Sequence, residues 1–563
     1  MSSSDTGQAT LAQVPVAPHS PEPTMKGLKR PRLVASLAGI LLSLLLAAMD
    51  QTIVSTALPR IVADLRGLEH YAWVVTAYLV ASTAVAPVAG KLSDIYGRKP
   101  LFIIGIVLFL AASALCGISQ TMAQLIVFRS LQGLGAGVIM ASVFTAIADI
   151  FPPAERGKWQ GLLGAVFGIA SVVGPAAGGY LTESWSWRLV FYVNLPLGMV
   201  ALAVVAAGLP HTQQHRRRPP IDYWGVALLV ATVVPLLLAL SLGGREFAWT
   251  SPPVLGLFAM FLASLGLFLL VEARVAEPIV PLTLFRNSIF TVSIGATFLT
   301  AMGMFGSLIF VPLYVQAILG GSPTEAGAVL TPMMLSNVVG SVVGGQAVAR
   351  WGRYRIIALI GIAIMSLGMF LLTGLRPGVD SLTIVRDGVL VGFGLGITFP
   401  VYVIAVQNAF PYQVLGQVTA SLQFFRSIGA TVGVAVLGAL MTTRFQGELR
   451  TGLPSVATGD LRADQIARLT NPDVLLTPNA LDRLTQEIGA SVPGASALAA
   501  QVYLAVRSAL ALALHDVFIV AFGVTLLCLG VTFFLREIPL RRTHHEAPIA
   551  STDARRNGND SQP

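Results

Sequence analysis

The sequence predicts an all-α polytopic membrane protein with fourteen transmembrane helices, and three observations predict it. Of 563 residues, 55% are hydrophobic and only 11% are charged, against roughly 25% charged in a soluble domain. Apolar runs of roughly 20 residues, the length that crosses about 30 Å of hydrocarbon, recur from Leu33 to about Phe534. The chain also repeats itself. FPPAERG at 151–157 returns as FPYQVLG at 410–416, RSLQGLGAG from Arg129 as RDGVLVGFGLG from Arg386, and GKLSDIYGRKP at 90–100 as GQAVARWGRYR at 345–355. The offsets are 259, 257 and 255 residues, and such repetition marks a membrane chain built from related halves.

In order, the runs predict helices near 33–57, 71–90, 101–119, 122–148, 159–182, 188–208, 223–243, 252–272, 289–318, 325–349, 354–374, 384–407, 415–442 and 511–535. The repeat matches helices 1–6 to helices 9–14 and leaves helices 7 and 8 as an inserted pair. The expected organisation is a disordered N-terminal tail (1–32), a six-helix bundle (33–208), the inserted pair with its linkers (209–288), a second bundle (289–535) and a C-terminal tail (536–563). The tail is rich in Ser, Pro, Ala and Gln and cannot build a core. Lys26 to Arg32 before an apolar run has the outline of a signal peptide, but the run is too long and lacks a small-residue cleavage pattern.

Loops kept in the cytoplasm are enriched in Lys and Arg. All five lysines, Lys26, Lys29, Lys91, Lys99 and Lys158, fall on one face of the fourteen-helix arrangement, with Arg216 to Arg218, Arg350, Arg353, Arg355, Arg541 and Arg542. That face is expected to be cytoplasmic, with both termini inside an inner or plasma membrane. The same bias accounts for the net charge of +9 through anionic lipid rather than nucleic acid. Cys116 and Cys528 lie inside predicted helices and indicate neither a disulfide nor a metal. Neither Gly90-Lys91 nor Gly157-Lys158 forms a Walker phosphate loop. No enzyme activity and no cofactor is expected.

GKLSDIYGRKP reads as a short loop between helices 2 and 3. Gly90 and Gly97 permit a tight turn and close helix approach, Asp94 supplies an acid, and Arg98 and Lys99 supply cations. Helix 5 carries Gly164, Gly168, Gly174, Gly178 and Gly179 around Pro175, a composition for close packing and bending. Asp50, in LLLAAMDQTIV, stands in an apolar run where an ionised acid costs about 2.5–3.5 kcal/mol. Acids so placed face a cavity or a partner and serve as proton relays. Gln51, Thr52 and Ser55 make that end of helix 1 polar enough to line a cavity. Arg129 is a second intramembrane charge that must find an acceptor. Few acids lie firmly within the membrane beyond Asp50. Arg426, in helix 13, has three readings: pairing with an acid, neutralising an anionic substrate group, or bracing the bundle. Asp516 reads as interfacial.

These motifs carry a resemblance. GKLSDIYGRKP resembles the signature loop of the major facilitator superfamily, and LLAAMDQTIVSTALPRI at 45–61 the helix 1 motif of its fourteen-helix drug:proton antiporter branch. RSLQGLGAG at 129–137, GIASVVGPAAGG at 168–179 and WSWRLVFYVNLPLG at 185–198 resemble the motifs of helix 4, helix 5 and the helix 5–6 junction. The resemblance implies a major facilitator fold of two six-helix bundles around a central cavity. In it Asp94 latches the cytoplasmic gate to the other bundle while Arg98 contacts Asp149. The second copy of the loop has Ala349 in place of the acid, which makes the latch asymmetric. The resemblance also implies that Arg129 tunes a nearby acid, that helix 5 seals the outer side, and that Asp50 is the principal proton site.

Phe298, Met302, Met304, Phe305, Tyr314, Met333 and Met334 in helices 9 and 10 suit a pliable apolar cavity. The polar segment 444–508, with the amphipathic stretches ADQIARL and LDRLTQEI, reads as a cap, a docking surface or an insertion, and LAAQVYLAVRSALALAL reads as an outward extension of helix 14. The function expected is proton-coupled multidrug efflux of amphiphilic, cationic compounds. An exporter of lipids or lipid-like metabolites and a non-transporting membrane sensor are the alternatives. The partners expected are a small amphiphilic substrate, protons and membrane lipids, for a monomer.

Overall fold

The computed structural model describes residues 30–65, 71–210, 222–244, 247–275, 277–321, 323–452, 485 and 495–541. Among them, fourteen helices are long and apolar enough to cross a membrane. They are α1 (Arg30–Leu65), α2 (Tyr71–Tyr96), α3 (Arg98–Ile118), α4 (Met122–Ile150), α5 (Pro153–Ser184), α6 (Asn194–Gly208, preceded by a single turn Leu189–Tyr192), α7 (Tyr223–Leu242), α8 (Pro252–Glu272), α9 (Ser288–Leu313, continued by a wide turn Tyr314–Ile318), α10 (Pro323–Trp351), α11 (Tyr354–Thr373), α12 (Ser381–Ala409), α13 (Leu415–Gly452) and α14 (Ala495–Phe533). The chain is a multi-pass membrane protein. Where a helix starts with free amides, a side chain takes them: Thr121, Asp222 and Asn287 accept from the first turns of α4, α7 and α9.

The packing repeats every eight helices. α1 lies against α5 and α6, α2 against α4, and α3 against α4 and α6; α9 lies against α13 and α14, α10 against α12, and α11 against α12 and α14. The two sets meet through α5 with α10 and through α2 with α13, while α7 and α8 pair and α7 stands beside α2 and α13. Each meeting is built on a glycine pair from the repeated motifs. A Cβ added to Gly157 would stand 2.0 Å from the Gly345 carbonyl oxygen, and one added to Gly90 2.7 Å from that of Gly416. Only backbones without side chains approach so closely.

Three boundaries differ from the sequence reading. GKLSDIYGRKP is helical on both sides of Gly97, which alone breaks the chain at φ 90°. Asp94 therefore belongs to the last turn of α2 and Arg98 to the first turn of α3. Gly352, in the repeated motif, makes the same break at φ 68°. α13 and α14 are 38 and 39 residues long, and their ends pack together through Phe445, Leu449, Leu498 and Val502. This apolar pairing carries α13 beyond its predicted end near 442, while α14 takes in LAAQVYLAVRSALALAL, the stretch the sequence offered as its extension. The stretches ADQIARL and LDRLTQEI fall almost wholly outside the described residues.

The repeat also explains a contact from the end of the chain. Arg156 donates to the carbonyls of Phe151 and Ala148 at 2.8 and 2.7 Å, satisfying the C-terminal end of α4. The position 259 residues on is Leu415, which has nothing to donate. Arg541, beyond α14, donates instead to the carbonyls of Phe410 and Gln407 at 2.6 and 2.9 Å. These are the repeat counterparts of Phe151 and Ala148.

Candidate functional site

Asp50 lies in α1 with no exposed surface, at a point where α1, α3, α4 and α6 converge. Its Oδ2 accepts from Arg129 Nη1 at 2.7 Å. Its Oδ1 accepts from Gln132 Nε2 at 2.8 Å and from Asn194 Nδ2 at 2.7 Å. Arg129 and Gln132 are three residues apart on α4 and so share a face; Arg129 Nη1 also donates to Gln132 Oε1 at 2.7 Å. Ser113 of α3 accepts from Gln132 and Asn194 at 3.1 and 3.0 Å and donates to the Phe191 carbonyl at 2.9 Å. The guanidinium lies over the Tyr78 ring, 4.2 Å from its centre. Gln51, one residue on, is exposed.

The network obeys a simple requirement. A charge taken out of water must be paired and its remaining lone pairs satisfied, and here the carboxylate has one cationic and two amide donors. Gln132, Asn194 and Ser113 were not singled out in the sequence. A signal was present for the first, three residues after Arg129 in RSLQGLGAG, and for the second, the one amide in the apolar run FYVNLPLG.

A second cluster lies at the basic end of the bundle. Asp94 accepts from the backbone amides of Gly416 and Gln417 at 3.1 and 2.9 Å, which ties α2 to the first turn of α13 across the two sets of helices. A carboxylate at a helix N-terminus also meets the positive end of the dipole. Arg98 Nη1 lies 2.5 Å from Asp94 Oδ1, and its Nε donates to Asp149 Oδ2 at 2.9 Å. Lys99 donates to the Ala206 carbonyl at 2.6 Å. At the corresponding crossing of α10 with α5, the position of Asp94 is held by Ala349.

The loop between α8 and α9 joins this cluster, a connection sequence reasoning missed. Lys91 Nζ meets Glu277 Oε2 at 2.6 Å, Gln417 Nε2 donates to the Pro278 carbonyl at 3.2 Å, and Glu272 accepts from the amides of Ile279 and Val280 at 3.2 and 3.4 Å. Two singly charged side chains separated by 186 residues give no local pattern to read.

In α5, Gly174 and Gly178 face Thr52, Ile53 and Thr56 of α1, and Gly168 faces Val338 of α10; nothing lies within 4 Å of a Cβ built on Gly179. Thr52 donates to the Ala170 carbonyl at 2.9 Å, so the segment around Pro175 is held to α1 just beyond Asp50. Arg426 is half-buried over the Phe399 ring, at 4.1 Å from its centre. Asp516 pairs with Arg444 of α13 at 3.1 Å and stands midway along α14, not at the helix end where hydropathy alone placed it. Asp387 of α12 is also buried, at 1% exposed. It lies in the second turn of that helix and was not singled out in the sequence, because Arg386, its partner at 2.8 Å, stands beside it like an interfacial pair.

The sequence pattern of the Major Facilitator Superfamily matches residues 40–434. The chain belongs to this superfamily. It is 38% identical to the multidrug transporter protein MdtP of Bacillus subtilis over 92% of this chain and 95% of that one. It is 40% identical to multidrug resistance protein 3 of the same organism over 73% and 80%. Among solved structures it resembles the human organic anion transporter MFSD10 (TETRAN), with a TM-score of 0.55 and 13% identity over 88% of this chain and all of that one. That last likeness is one of fold alone. A major facilitator transporter of the efflux type takes small-molecule substrates and is not an enzyme.

Proposed function

We propose that this chain is a proton-driven exporter of amphiphilic organic compounds, working by alternating access between units 33–208 and 289–535 with 209–288 inserted between them. The observation that carries the reading is the buried Asp50–Arg129 pair. A proton taken up by Asp50 removes the charge opposite a guanidinium that cannot itself titrate. The pair then separates, and the four helices joined by its network repack. One proton moving inward down a membrane potential supplies about 2.3 kcal/mol per 100 mV. The names of the two Bacillus relatives support an efflux role for drug-like cargo.

The basic end, with Lys91, Lys99 and Lys158, is the cytoplasmic end, and both termini lie on that side of the plasma membrane. Asp94, Arg98, Lys99 and Asp149, with Gly90 and Gly97, form the gate there, and the glycine crossings support a closed cytoplasmic side in this arrangement. Gly168, Gly174, Pro175, Gly178 and Gly179 pack the outer seal, and one copy of the chain suffices. A cationic cargo, the sequence expectation, would have to compete with Arg129 for Asp50. A lipid-like cargo is the second reading, favoured by the paired extension of α13 and α14, which would guide an acyl chain.

The test uses purified protein in lumen-acidic liposomes with a fluorescent amphiphile. Wild type accumulates the dye, and Asp50→Asn accumulates none while still exchanging it. Full proton-driven accumulation by Asp50→Asn removes the proton role from this residue. Two folded proteins that move neither dye nor labelled lipid point to a ligand sensor.

A further inference from the structure

Arg426 lies eleven residues into α13, roughly 16 Å along the helix axis at 1.5 Å per residue. Phe399 of α12, on whose ring it rests, is itself edge-on to Phe144 of α4 at 5.5 Å. The guanidinium is thus placed where the two sets of helices face each other, in the middle of the molecule.

Every comparable arginine has an acceptor. Arg129 has Asp50, Arg98 has Asp94 and Asp149, and Arg156 and Arg541 have helix-end carbonyls. Arg426 is different. Among the described residues no hydrogen bond or ion pair engages it, and its contact is the Phe399 ring. One turn back on the same face, Gln423 has its Oε1 buried with no partner among the described residues.

A guanidinium does not lose its proton in a protein, and in a membrane interior it needs an anion or a carbonyl. The Phe399 ring takes up one side of the group, and its N–H donors, without an acceptor among the described residues, are left to receive a carboxylate in bidentate fashion. Gln423 adds an acceptor for a hydroxyl or amide donor on the same ligand. We infer that Arg426, Phe399 and Gln423 form an anion-recognition site in the substrate path, and that the cargo is an amphiphile bearing a carboxylate or similar acidic group. The inference rests on the export reading only for the fate of the ligand. The binding chemistry stands by itself.

The chemistry would suit a free organic acid or an anionic lipid headgroup, and the experiment separates them. Full-length protein in phosphatidylcholine nanodiscs is titrated with dansylaminoundecanoic acid and with its uncharged methyl ester. The acid binds about tenfold or more tightly than the ester, as a charge-assisted bond requires. Arg426→Gln abolishes that preference, Arg426→Lys keeps part of it, and Phe399→Leu weakens it. Equal affinity of wild type for acid and ester overturns the site, as does an undiminished preference in folded Arg426→Gln. If that variant does not fold, the acid-to-ester ratio of wild type and of Phe399→Leu decides. Loss of the acid preference when phosphatidylglycerol is added gives the site to a lipid headgroup and overturns the soluble-acid cargo. Proton-driven uptake of both probes in liposomes separates the two readings. Ester uptake without acid preference leaves export standing and removes the site, whereas Arg426-dependent binding without uptake does the reverse.

Discussion

Arg129 on α4 meets Asp50 on α1 at 2.7 Å across 79 residues of chain, with neither side chain more than 2% exposed. Such a pair adds little to stability when intact, because desolvation offsets most of its attraction, but removing one partner strands a charge.

The pair therefore makes an asymmetric prediction. Arg129→Ala should destabilise the folded protein by about 3–5 kcal/mol. Asp50→Asn/Arg129→Gln together should recover most of that loss while transport stays uncoupled from protons. Thermal unfolding in detergent gives the stabilities and dye accumulation in liposomes the coupling. A double variant as unstable as Arg129→Ala would show that the pair is not the source of the cost.

Gly157 and Gly345 set a second test. A Cβ on either meets the other's carbonyl oxygen at about 2 Å, so α5 and α10 cannot keep this approach with a branched residue at either position. Gly157→Val should hold the basic end open. Transport should fall about tenfold or more, the population ratio that 1.4 kcal/mol produces, and thiol labelling of a cysteine at Ser341 should rise. Unchanged labelling and transport would mean that the crossing relaxes without opening.

Lys91 and Glu277 tie the loop between α8 and α9 to the end of α2. With Glu277 about half exposed, the bond is worth roughly 0.2–1 kcal/mol, so Lys91→Ala should shift thermal stability little but increase labelling at the basic end. The exchanged pair Lys91→Glu/Glu277→Lys should restore the closed population. If exchange does no better than Lys91→Ala, the contact has no part in closure.

Arg541 stands in for the arginine that the second repeat lacks. Arg541→Ala leaves buried carbonyls of Gln407 and Phe410 without their charged donor, a loss of about 1.5–3 kcal/mol. Replacing Leu415 by arginine in that background should return part of the stability. Limited proteolysis of α12 and α13 reads the effect, and wild-type resistance in Arg541→Ala would deny the tail this role.

Much of the architecture was legible because hydrocarbon imposes a length and the repeat imposes a pairing. Run lengths predict fourteen crossings, and the offset of 259 residues relates Gly157 to Gly416, the glycines that hold the two crossings. Where packing rather than hydropathy sets the limit, the reading fell short. α13 runs on to Gly452 because its last turns find an apolar partner in α14, and Asp94 is helical because a single glycine suffices for the turn.

By itself, the sequence determined a fourteen-helix membrane protein with related halves and charges set against apolar surroundings, because composition and periodicity are properties of the chain. Only the tertiary structure decided which of those charges meet. Asp50 gains Arg129, Gln132 and Asn194, Lys91 gains Glu277, Arg541 gains the end of α12, and Arg426 gains no hydrogen-bond or ion-pair partner among the described residues. A side chain's partner depends on which helix faces turn toward one another, and that is settled by the packing of glycine against glycine and core against core rather than by any residue's neighbours in sequence.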